Sequence, residues 1–206
     1  MKRRTKVPVW ELALLLALAV TLLWGAVCTQ RQEALQQKLI RLHVLANSDE
    51  AADQALKLLV RDRVLTLAQE ILTQAADREQ AQRELTAALP RLRQAAEETL
   101  AAAGCTQRVE ARLEEADFPT RDYDGFSLPA GRYLSLRIII GEGRGQNWWC
   151  VVFPPLCTSA ACSWQDTARS GGLDGEDVSL MAEEDGYQLR FRSVELWEQL
   201  RSWLGR

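Results

Sequence analysis

Apolar and polar residues alternate in several short stretches of the chain, which is the period of a strand with one buried face. In two longer stretches an apolar residue returns every three or four positions, which is typical of amphipathic helices. Short connections favour antiparallel pairing, so we expect an α+β fold whose mostly antiparallel sheet is covered by two long helices. The predicted strands lie near residues 39–46, 107–115, 132–140, 148–153 and 187–192, and the predicted helices run from Asn47 to about Thr73 and from about Arg78 to Ala103.

Local residues refine the ends of these elements. Asn47, Ser48 and Asp49 offer side-chain oxygens for the N-cap of the first long helix, with Glu50 available for a reciprocal bond to Asn47. Pro90 is expected to kink or split the second helix. After the last predicted strand, a short amphipathic helix is expected to begin at Ser193.

A run of spaced glycines separates two of the predicted strands. Gly141, Gly143 and Gly145 can adopt positive φ at no steric cost, so we interpret the segment as a hairpin loop. The spacing does not indicate a phosphate site, because it lacks the third glycine of a dinucleotide fingerprint and leads into a strand.

Two tryptophans follow this loop. Trp148 and Trp149 occupy adjacent strand positions and must point to opposite faces, so one can join the core while the other faces out. An exposed tryptophan beside polar residues is typical of a partner-binding surface. We therefore predict that Trp148 or Trp149 anchors a partner, with Glu142, Arg144 and Asn147 as polar contacts.

The N-terminal residues have the composition of a targeting segment. Basic residues precede an uncharged run from Leu12 to Cys28, which indicates an export signal or a membrane anchor at residues 7–28. The positive charges on the N-terminal side favour a cytoplasmic N-terminus. We expect residues 1–30 to be this segment and residues 31–206 to form an extracytoplasmic domain, with a mobile loop at about 158–186.

Composition narrows the classes of function. The chain has 206 residues, of which 47% are hydrophobic, and a formal charge of −3. The near-neutral charge disfavours a nucleic-acid surface. A single histidine and the absence of a CxxC pair argue against zinc, and we expect neither a metal nor a cofactor.

The cysteines leave two hypotheses open. Outside the cytoplasm, Cys150 and Cys157 could form a disulfide across the Pro-Pro turn, although buried free thiols fit the spacing as well. A thiol hydrolase acting on peptide or cell-wall bonds is the enzymatic alternative. It requires Cys150 as nucleophile and His43 as base on one face of the sheet, with Asn47, Asp49 or Glu142 orienting the imidazole.

Three longer motifs are typical of one family: LIRLHVLANSD from Leu39, FPTRDYDGFSLPAGRYLSLRIIIGEGRGQNWWCVVFPPLC from Phe118 and FRSVELWEQL from Phe191. The chain is similar to the stage II sporulation protein R family of endospore-forming bacteria over residues 38–157 and about 187–200. The resemblance implies export from the forespore into the space between the two membranes. It also implies activation there of a membrane-embedded aspartic protease of the mother cell, which processes the precursor of sigma factor E. It implies a signalling ligand and supplies no contact residues.

Overall fold

The computed structural model describes residues 9–156 and 164–182 of the protein. Within these ranges, after the long N-terminal helix come one strand, two helices, five strands and two short helices, which is the segregated order of an α+β domain. The elements are α1 (Val9–Gln36), β1 (Ile40–Leu45), α2 (Ala51–Leu72), α3 (Arg78–Ala102), β2 (Val109–Phe118), β3 (Arg121–Tyr123), β4 (Phe126–Leu128), β5 (Gly131–Ile140), β6 (Asn147–Phe153), α4 (Trp164–Ser170) and α5 (Gly175–Met181).

The main sheet has four strands in the order β2-β5-β1-β6. β1 pairs in parallel with β5 and antiparallel with β6, while β2 and β5 are antiparallel. The predicted α+β fold with a mostly antiparallel sheet is therefore confirmed, with one parallel pair at its centre.

The predicted hairpin between β5 and β6 is wrong. Both strands pair with β1, on its opposite sides, so the glycine-rich segment from residue 141 to 146 crosses over the end of β1. The crossing requires close approach to the β1 chain. A Cβ on Gly145 would lie 2.1 Å from the backbone oxygen of Ser48, and one on Gly141 would lie 2.2 Å from the Asn47 side chain. The glycines therefore allow the loop to lie against the residues that follow β1, in addition to turning the chain.

Helices α2 and α3 cover one face of the sheet and bury the main core with it. Their apolar stripes supply Val60, Val64, Leu85 and Leu92, all fully buried. Pro90 lies inside α3, which is one continuous helix and is not split at that position. The strands contribute the alternate residues that face these helices, which include Ile40, Leu42, Val44, Leu134, Leu136, Ile138, Ile140, Cys150 and Val152.

A second cluster covers part of the opposite face. The end of α1, a small hairpin of β3 and β4, and the short helices α4 and α5 pack there. The hairpin lies in the connection after Phe118, and Gly125 supplies its positive φ of 84°. The fully or nearly fully buried members include Leu35, Leu39, Phe118, Phe126, Leu128, Tyr133, Val151 and Met181.

The C-terminal third differs from the sequence interpretation where it is described. The segment predicted as a loop at about 158–186 contains α4 and α5, and a capping box at Asp174 begins α5. The predicted strand at 187–192 and the helix from Ser193 lie outside the described residues.

Helix α1 has an exposed apolar part and a last part that is buried in the domain. Its apolar part is long enough and apolar enough to cross a membrane and is not buried by the rest of the protein. Its last turns are part of the domain, because Leu35 is fully buried and Gln32 is 6% exposed. The helix thus runs from the apolar segment into the folded core as one element.

Candidate functional site

The connection over the end of β1 is held by the residues that follow β1. The Glu142 amide donates to Asn47 Oδ1 at 3.0 Å, and the Gln146 amide donates to Asp49 Oδ1 at 2.8 Å. The predicted N-cap is therefore wrong. The N-cap of α2 is Glu50, which makes no side-chain capping bond, because the short polar side chains before it are bonded elsewhere, two of them to the crossing loop.

The buried carboxylate of Asp53 holds Asn47 and Ser48 in place. Asp53 Oδ2 accepts from Asn47 Nδ2 at 2.8 Å and from Ser48 Oγ at 2.6 Å, and Oδ1 accepts from Gln107 at 3.1 Å. These hydrogen bonds, with that from Ser48 the largest cause, lower the pKa of Asp53. The loop thus rests on a network of fixed side chains.

The crossing loop presents two of the predicted contact residues to solvent. Glu142 Oε2 and Arg144 Nη1 are 3.1 Å apart, and both side chains are largely exposed. The Arg144 amide donates to Asn47 O at 3.2 Å, so the exposed pair stands on an ordered backbone. Lys57 of α2 adds a bond from Nζ to Gln146 O at 3.1 Å.

Trp148 lies beside this loop on the face that carries α2. Its side chain is 38% exposed, and the Arg61 guanidinium lies 4.3 Å from the ring centroid. Leu58, one turn before Arg61, has the same exposure of 38%. The exposed surface here combines an aromatic ring, an aliphatic side chain and exposed charges, which is the chemistry of a protein contact.

Trp149 points to the other face and is half-buried. Its ring stacks on His43 with centroids 3.7 Å apart and meets Phe118 edge-on at 4.6 Å. His43 Nε2 donates to Asn147 Oδ1 at 2.9 Å, so the predicted contact residue Asn147 has its oxygen engaged within the protein. Burial, and then the positive charges of Arg137 and Arg41, lower the pKa of His43 to about 4.

The catalytic pair of the thiol hydrolase hypothesis is not formed. Leu42 is the register partner of Cys150 and His43 is that of Trp149, so alternate pleating puts Cys150 and His43 on opposite faces. Cys150 is 3% exposed in the helix-covered core, and it is disulfide-bonded, so it carries no thiol. Its bonding partner lies outside the described residues, and the pairing with Cys157 stays a prediction.

Sequence reasoning missed the residue at the centre of the second face, Arg41. Its guanidinium is fully buried, donates from Nη2 to the Tyr123 hydroxyl, and lies 4.2 Å from the Phe118 ring centroid and 5.0 Å from that of Tyr133. The signal was available, because Arg41 and His43 alternate on one face of an otherwise apolar strand. Among residues 9–156 and 164–182, no group of three or more metal-ligating side chains is gathered.

Comparison with known proteins agrees with the sequence motifs. The profile of a family described as stage II sporulation protein R matches residues 36–163. The stage II sporulation protein R of Bacillus subtilis (strain 168) is 37% identical over 178 residues, which cover 76% of this chain and 78% of that protein. No solved structure matches the chain.

Proposed function

The chain belongs to the stage II sporulation protein R family, and we propose that it is the exported signal that activates a membrane-embedded aspartic protease of the mother cell. In this proposal it leaves the forespore for the space between the two membranes. The activated protease then processes the precursor of sigma factor E. The observation that carries the proposal is the family match, which covers every strand of the main sheet.

Two structural features support an extracytoplasmic binding protein. The apolar part of α1 is compatible with a signal or an anchor. A disulfide at Cys150 is typical of compartments outside the cytoplasm. The proposal requires no catalytic pair, and His43 and Cys150 do not form one.

We propose the surface of Trp148, Glu142 and Arg144 as the contact with the protease. The backbone of the crossing loop is bonded to the residues after β1 and to α2, so the loop is ordered before binding and loses little backbone entropy on association. Trp148 supplies the apolar anchor next to them. Replacing such an anchor by alanine is expected to cost about 2 kcal/mol or more, which is roughly thirtyfold in affinity.

The test uses a spore-forming strain that lacks its own copy and carries the protease from the genome of this chain. Processing of the sigma-factor precursor is followed by immunoblot with wild-type protein, Trp148→Ala and Leu59→Ala. Leu59 is a matched control: it is 50% exposed on α2, but lies about 200° around the helix from Lys57 and Arg61, away from the loop.

We expect wild type and Leu59→Ala to restore processing and Trp148→Ala to reduce it strongly at equal exported amounts. Failure of the wild-type chain to restore processing would refute the proposed function. Full processing with Trp148→Ala would refute the contact surface and leave the function standing.

A further inference from the structure

Unpartnered polar atoms gather at one place on the second face of the sheet. In residues 9–156 and 164–182, nine buried side-chain nitrogen and oxygen atoms lack a hydrogen-bond partner, and five of them belong to one group of side chains. These five are Nε and Nη1 of Arg41, Nδ1 of His43, Oγ of Ser135 and Nε of Arg137.

The strand register makes these four side chains neighbours. In the parallel pair of β1 and β5, Arg41 is opposite Ser135 and His43 is opposite Arg137. Residues two apart on a strand share a face, and adjacent strands are about 4.8 Å apart, so the four form a contiguous block. Arg41 and Ser135 are fully buried, and His43 is 6% exposed.

The block carries more positive than negative charge. Arg137 Nη1 pairs with Glu114, so one of the two guanidinium charges is balanced. Arg41 forms no ion pair with a described carboxylate; its neighbours are the hydroxyl of Tyr123 and the faces of Phe118 and Tyr133. Aromatic faces offset part of a buried charge, but an arginine keeps its proton and still favours an anion.

We propose that Arg41, Ser135 and Arg137 bind a carboxylate group on this face of the sheet, beside His43. One negative charge balances the guanidinium of Arg41, which forms no ion pair with a described carboxylate. Each of the three side chains has at least one N–H or O–H available to donate to a carboxylate oxygen, and bonds to an ionised acceptor are the stronger kind. Arg137, whose side chain is 26% exposed, and the half-buried Trp149 reach solvent beside the block, so in this proposal the carboxylate enters next to them.

The protein contains its own reporter, because His43 is its single histidine. The full chain in uncharged maltoside micelles, labelled with ¹³C and ¹⁵N in histidine, is titrated with sodium acetate at constant ionic strength. Parallel titrations use sodium chloride, sodium phosphate, N-acetyl-glutamate amide as a side-chain carboxylate and N-acetyl-alanine as a terminal one. We expect saturable shifts of the His43 ring signals with acetate, and with whichever peptide carboxylate the site accepts.

Three substitutions test the site. Ser135→Ala and Arg137→Gln each remove a donor and are expected to weaken acetate binding about tenfold. Arg112→Gln is the matched control, since Arg112 is the exposed register partner of Arg137 on β2 and bonds to Glu110. It should leave the acetate affinity within about twofold.

The outcomes separate the alternatives. No saturable shift with any carboxylate would overturn the proposal. Shifts with chloride or phosphate but not with acetate would overturn the assignment of a carboxylate. Equal weakening by Arg112→Gln and Arg137→Gln would reduce the effect to general charge and overturn the site.

Discussion

Gly145→Ala tests whether the candidate contact loop depends on close backbone approach over the end of β1. Gly145 is not one of the glycines with positive φ, so alanine meets no backbone strain of its own. Its Cβ would lie 2.1 Å from Ser48 O and 2.9 Å from the Ala46 side chain. Since Ser48 O belongs to a backbone held by the Asp53 network, relief requires the loop to move.

The expected magnitude follows from this overlap. Overpacking of one methyl group against a fixed neighbour typically costs about 1–3 kcal/mol. For a chain of this size that corresponds to a Tm lower by about 2–12 °C. The bond from the Gly145 amide to Ala46 O, 2.9 Å in the native protein, should lengthen or break.

Thermal unfolding by circular dichroism and amide hydrogen exchange of Arg144 and residue 145 measure the two effects in detergent-solubilised full chain. Gly175→Ala is the control, because a Cβ there meets nothing within 4 Å and the residue begins α5. It should stay within about 0.5 kcal/mol of wild type. A Gly145→Ala protein with native Tm and native exchange at both amides would show that the crossing loop is not held as described.

Two further predictions concern the second face. His43 should titrate near pH 4 by NMR, as burial lowers its pKa from 6.5 to about 4. Between about pH 6.5 and pH 4 the unfolded chain binds the proton and the folded chain does not, so the free energy of unfolding should fall as the pH drops through this range. His43→Gln should flatten this slope. An NMR titration midpoint of His43 at pH 6 or above would contradict its burial. Leu35→Ala should destabilise the domain by about 2–5 kcal/mol in urea unfolding, since Leu35 is fully buried. Leu22→Ala, in the exposed apolar part of α1, should leave the free energy of unfolding unchanged. Equal effects of the two substitutions would show that the end of α1 is not part of the core.

The spacing of hydrophobic residues along the chain predicted most helices and strands of this fold, but not the order of the strands in the sheet. The alternation in β1, β5 and β6 follows from burial and correctly assigns which residues share a face. It carries no information on which strand is the neighbour, and a short connection with three glycines favoured a hairpin. The pairing of β1 with both strands is decided by long-range packing, since β1 is buried at every position, including those of Arg41 and His43.

The candidate site shows the same limit at the level of side chains. Asn47, Ser48 and Asp49 have the composition of a helix cap, and such side chains bond to whichever backbone donor lies nearest. In the folded protein those donors include the amides of Glu142 and Gln146, about a hundred residues away in sequence, and no local pattern reveals them. That one of Trp148 and Trp149 faces out could be predicted, because adjacent strand residues must face opposite ways, but which of the two is exposed could not.

The position of α1 relative to the sheet sets where a partner can meet the proposed contact surface. Cys28 ends the apolar run and Leu35 is already buried in the domain, a distance of about 10 Å along a helix at 1.5 Å per residue. In an anchored chain the domain is therefore held close to the membrane surface without a flexible linker. β1 then runs from Ile40, next to α1, to Leu45, opposite Asn147, which is about 17 Å along the strand. The loop of Glu142 and Arg144 and the ring of Trp148 lie at this far end of β1, and in the proposed function it is this end that meets the protease.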